Sequence, residues 1–86
     1  RGKKFYAAFH PNSVSDVGEL YLFSETPTSV QVEIFNAAGQ PLGLVRAVDL
    51  EKETVLPIEM GHLPAGLYFA VVQTEVERAV VSFLKN

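Results

Sequence analysis

Nowhere along the 86 residues does an apolar pattern keep a helical period for more than a turn or two. The apolar residues fall instead in short alternating runs. Val30, Val32 and Ile34 face one way while Gln31 and Glu33 face the other, the two-residue period of a strand with one buried face. Clusters of Gly, Pro, Asn and Ser break such runs about every 8–12 residues, the spacing of an all-β sandwich. The runs are Phe5–Phe9, Glu19–Ser24, Val30–Ile34, Pro41–Val48, Glu53–Ile58, Gly66–Thr74 and Val76–Leu84. Seven strands without helices predict two packed antiparallel sheets in an immunoglobulin-like arrangement, with an open barrel as the alternative.

The breaks have local causes. His10-Pro11-Asn12-Ser13 ends the first run, because Pro removes a ladder donor and Asn supports a turn. Asn36-Ala37-Ala38-Gly39 predicts a hairpin loop with Gly39 at positive φ. The next run turns Leu42, Leu44 and Val48 inward, and its Pro41 and Gly43 mark an edge or bulged strand. Tyr68 enters a strand directly after the Leu63-Pro64-Ala65-Gly66-Leu67 turn. Its ring is expected in the core and its hydroxyl on the turn backbone, as in a tyrosine corner.

A chain this short buries only about 60–65% of its unfolded surface, so it forms one domain in which most apolar residues must contribute. It has no cysteine, so the sheets must close their core without disulfides. The net charge of −3 opposes nucleic-acid binding, which needs a basic face to displace counterions. The longest apolar run, Leu67–Val72, is far below the roughly 20 residues that cross a bilayer as a helix. The chain opens on Arg1, and Met60 is its only methionine, so a fragment of a longer protein is expected. Arg1-Gly2-Lys3-Lys4 reads as the end of a linker or as a cloning remnant.

Catalytic chemistry finds no footing. His10 and His62 sit far apart in separate turns, and a metal site needs at least three converging ligands. Asp16, Asp49 and Glu51-Lys52-Glu53 read as solvated loop charges, without the burial that tunes an acid–base pair. Ser13, Ser15 and Ser24 have no nucleophile-elbow context. Gly39 and Gly43 precede no helix that would receive a phosphate. Neither an enzyme nor a cofactor is expected.

The last two runs depart from clean alternation. If Tyr68, Ala70 and Val72 face the core, Leu67, Phe69 and Val71 lie on the other side, and Val80-Val81 and Phe83-Leu84 place apolar residues on both faces. A two-layer sandwich cannot cover its outer faces. A cargo domain, a second copy forming a homodimer or a recognition partner is expected to cover this one, unless Arg78 and Lys85 shield it.

Four segments together resemble the C-terminal sorting domains of the type IX (Por) secretion system. Pro11-Asn12 is similar to the family's opening turn, and Asn36-Ala37-Ala38-Gly39-Gln40 to its mid-domain hairpin. Leu63-Pro64-Ala65-Gly66-Leu67-Tyr68 resembles its most specific turn. Val80-Val81-Ser82-Phe83-Leu84-Lys85 resembles its terminal strand with a closing basic residue. The resemblance spans residues 5–86 in order. It departs at Ser13, where the family usually has a second Pro, and at Asn86, which follows the basic residue.

The resemblance implies a folded sorting signal on a cargo domain upstream in the same chain. The cargo would reach the periplasm and then be moved by the outer-membrane secretion machinery. A sortase-like peptidase would cut ahead of Phe5 and join the cargo to lipopolysaccharide. Recognition would rest on Leu63, Pro64, Ala65, Gly66, Leu67, Tyr68, Val80, Val81, Phe83, Leu84 and Lys85, with Pro11, Asn12, Gly39 and Gln40 shaping the turns. The competing reading is a carbohydrate-binding or adhesion module that stacks sugars on Tyr6, Tyr21, Phe23 and Phe35.

Overall fold

The computed structural model describes residues 5–86; the linker or remnant expected at 1–4 lies outside the described residues. The strands run β1 (Phe5–His10), β2 (Ser13–Val14), β3 (Val17–Ser24), β4 (Thr28–Asn36), β5 (Pro41–Leu50), β6 (Glu53–Glu59), β7 (Gly66–Gln73) and β8 (Arg78–Lys85). They form a three-stranded sheet, β1-β3-β6, packed on a five-stranded one, β2-β8-β7-β4-β5. The chain passes between layers after β1, β2, β3, β5 and β6, which builds a two-layer sandwich of the immunoglobulin-like kind expected. All pairs are antiparallel except β2 with β8.

Seven strands stand where the alternating runs predict them. The eighth, β2, occupies part of the segment expected as a turn. It runs parallel to the end of β8, with Leu84 N–H donating to Asn12 O at 2.8 Å and Asn86 N–H to Val14 O at 2.9 Å. Two residues are too few to show a period, so only tertiary pairing makes them a strand. β8 also starts later than its run, at Arg78. Thr74 Oγ1 accepts the N–H groups of Val76 at 3.2 Å and Glu77 at 2.9 Å, which keeps the chain turning and leaves Val76 88% exposed.

The core follows from alternation on the facing layers. Leu20 and Leu22 come from β3, Leu56 and Ile58 from β6, Val30, Val32 and Ile34 from β4, and Tyr68, Ala70 and Val72 from β7. Each large apolar side chain buried this way contributes about 1.5–3 kcal/mol. Leu42, Leu44 and Val48 of β5 pack on the cluster only partly buried, because β5 is the last strand of its sheet. The β4–β5 register shifts between Glu33 and Phe35, and Gly43 on the longer side takes φ 75°, so the bulged edge expected there is present.

Phe9 of β1 and Phe83 of β8 tie the layers together. Their rings lie parallel within 4° with centroids 3.8 Å apart. Gly18 is buried beneath this stack, and a Cβ added there would fall on the edge of the Phe9 ring. Gly18→Ala is therefore expected to destabilise the domain by about 1–3 kcal/mol, the usual penalty for overpacking. Urea denaturation measures this, and an unchanged midpoint would mean that the Phe9 ring gives way freely.

Candidate functional site

The strand pairing gathers segments that lie far apart in the chain. Asn36 pairs with Tyr68, Tyr68 with Phe83, and Gly66 with Lys85. Asn12 O takes the Leu84 N–H. The opening turn, the mid-chain hairpin, the Leu63–Tyr68 turn and the end of β8 therefore share one end of the five-stranded sheet.

Each segment is held by its own polar residues. In the hairpin, Asn36 Oδ1 accepts the N–H groups of Ala38 and Gln40, both at 3.0 Å, and its Nδ2 donates to Gln40 Oε1 at 2.9 Å. Gly39 adopts φ 83°, the left-handed backbone that a Cβ would strain, as expected from the sequence. Tyr68 is buried and donates its hydroxyl to Pro64 O at 2.6 Å, which closes the tyrosine corner and fixes the turn on β7. Leu63 N–H donates to Met60 O at 3.0 Å at the start of that turn.

The two departures from the expected motifs meet each other. Ser13 Oγ donates to Asn86 Oδ1 at 2.5 Å, and Asn86 Nδ2 donates to Ser15 Oγ at 3.1 Å. With the Asn86–Val14 backbone bond they form a clasp that fastens β2 to the end of β8. Reading the sequence did not find this clasp, since nothing in residues 13–15 and 86 links them before the sheet forms.

The outer face of this end is apolar. Leu67 stands opposite Leu84, Phe69 opposite Ser82, and Val71 opposite Val80. Exposure reaches 40% for Leu67, 50% for Leu84 and 52% for Val80. Pro64, Ala65 and Gly66 are exposed beside them. Tyr68 and Phe83 lie in the core, Val81 is half-buried toward it, and Leu63 and Lys85 are half-buried. A partner meeting the folded domain would touch the outward residues; the inward ones hold those residues in place.

Elsewhere the side chains offer little chemistry. Among the described residues no three His, Asp or Glu side chains gather as a metal site. His10 is exposed at the end of β1 and His62 in the turn after β6. On the outer face of the smaller sheet, Tyr6 and Tyr21 meet edge to face, with ring centroids 6.1 Å apart and planes at 62°. Phe23 lies opposite Tyr6 on that face, whereas Phe35 belongs to the other sheet. The four aromatics do not make one flat platform for a sugar ring. Tyr21 donates its hydroxyl to Glu53 Oε1 at 2.7 Å, and that bond to a carboxylate pushes the phenol above its ordinary range.

A family model described as a secretion system C-terminal sorting domain matches residues 8–86. No curated protein matches the chain.

Two measurements check the local structure. Tyr68→Phe should cost about 1 kcal/mol for the lost bond to Pro64, and Tyr68→Ala about 3–5 kcal/mol. Equal midpoints for the wild type and the alanine variant would remove Tyr68 from the core. Tyr21 should titrate above 10.0 in an ultraviolet pH titration, and Glu53→Gln should bring it back toward that value. Because the folded-state value is raised, any stability from this bond is present at neutral pH and lost as pH climbs through it. Identical titrations of the two proteins would refute the coupling.

Proposed function

The chain belongs to the type IX secretion C-terminal sorting domain family, and from that premise we propose that the end of the larger sheet is the surface by which the secretion machinery takes hold of its cargo. The observation that carries this reading is the convergence of four separated segments on one apolar end. Residues 5–86 act as the sorting domain and do no chemistry of their own. The cargo lies upstream in the same chain and is destined for the cell surface or the extracellular space.

In this reading the cargo folds in the periplasm with the domain attached. The outer-membrane machinery engages the Leu63–Tyr68 turn and the last two strands, and the cargo crosses. A sortase-like peptidase then cuts ahead of Phe5, leaving the sandwich intact as the released piece, and joins the cargo to lipopolysaccharide. Such a cut would leave β1 whole, because β1 is paired with β3 from Phe5 onward.

Removing Val80–Asn86 should leave the full gene product in the periplasm with its own activity intact. Cell fractionation with an activity assay on each fraction reads this out. Normal surface display of the truncated protein would defeat the proposal.

A further inference from the structure

The sandwich has two open sides, and they are protected very differently. On one side the last strands are β5 and β6. β5 begins at Pro41 and is bulged around Gly43, β6 contains Pro57, and Arg46 Nη1 reaches across the gap to Pro57 O at 3.2 Å. Proline, bulges and charge are the usual means of keeping a sheet edge from pairing with another chain. On the other side stand β1 and β8. β8 contains neither Pro nor Gly and pairs with β7 in unbroken register from Arg78 to Lys85.

What distinguishes β8 from β1 is that another segment already sits on its edge. β2 pairs with Leu84 and Lys85 and stops there. The N–H groups of Leu84 and Asn86 point to the β2 side. Backbone groups alternate along a strand, so Val80 and Ser82 turn their N–H and C=O the same way, away from β7. Among the described residues no strand is paired with them on that side, where β1 of the facing layer packs against β8 without joining its ladder. Val80 and Ser82 thus present a row of donors and acceptors outside any strand ladder, which continues the row β2 has begun.

We propose that an extended segment of the secretion machinery adds as a strand to the free edge of β8 beside Val80 and Ser82, in line with β2. This deepens the reading given above and rests on it. Backbone hydrogen bonds would supply the attachment, as in other strand additions. An apolar side chain of the incoming segment would lie beside Val80 on the outer face, since β2 already holds the edge at Leu84.

The test places Ser82→Pro in the full gene product in its native host. Ser82 is exposed, and its N–H does not serve the β7 ladder, so proline removes only the outward donor and obstructs the edge. Surface-displayed cargo should fall about tenfold, the order expected from losing outward hydrogen bonds, while Ser82→Ala displays normally. Normal display of Ser82→Pro, with a melting temperature matching the wild type, would overturn the edge inference. If truncation of Val80–Asn86 still blocks display in that case, the sorting reading stands and only the edge fails.

Should Ser82→Pro not fold, hydrogen exchange on the wild-type protein decides. The Val80 and Ser82 amides should become protected when the detergent-solubilised secretion complex is added. Unchanged exchange would overturn the proposal. So would protection that arises from self-association in the absence of that complex, since the edge would then belong to a second copy of this chain.

Discussion

Phe83 is the contact on which the rest depends. It stacks on Phe9 from the opposite layer and lies 6.0 Å, centroid to centroid, from Tyr68 on the neighbouring strand. Both sheets and the Tyr68 corner therefore meet at one side chain of β8. Alternation then dictates the remainder: with Phe83 inward, Ser82 and Leu84 must face out, and the backbone groups at 80 and 82 must point away from β7. The strand that would be recognised is also a wall of the core. Its outward surface exists only while its inward side chain is packed.

Much of this was legible in the sequence because it rests on period-two patterning. The burial of Val30, Val32 and Ile34, and of Tyr68, Ala70 and Val72, follows from alternation alone. The hairpin at Asn36–Gly39 and the Tyr68 hydroxyl contact were legible from turn chemistry, which depends on neighbours within a few residues. What stayed hidden depends on partners distant in sequence. β2 is two residues long and owes its conformation to β8, seventy residues on. The Ser13–Asn86 bond is of the same kind, and so is the stacking of Phe9 on Phe83. The sequence also showed that the last strands are apolar on both faces, but not which edges are guarded, since that requires the strand order.

The strand order also explains how a signal built from short motifs can be specific. Pro11-Asn12 and Leu84-Lys85 are weak marks individually, and in an unfolded chain they are not neighbours. The sheet brings them together through the Leu84–Asn12 backbone bond, and the Asn86 clasp holds them there. A receptor contacting this end thereby tests whether the domain has folded. Small domains have little stability in reserve, so a packing fault near Phe83 would dismantle the proposed recognition surface as well as the core.

The clasp has a consequence for the free edge of β8. A flat edge with repeating donors and acceptors lets an added strand slide by two residues at little cost, because register is specified only where something breaks the repeat. β2 supplies that break. By occupying the edge at Leu84 and Lys85 it ends the open row at Ser82, so an incoming strand can extend no further in that direction. Without β2 the row would run on past Leu84 and several registers would compete. The Ser13 and Asn86 side chains, at the rim of the apolar face beside Leu84, thus set where an added strand must stop.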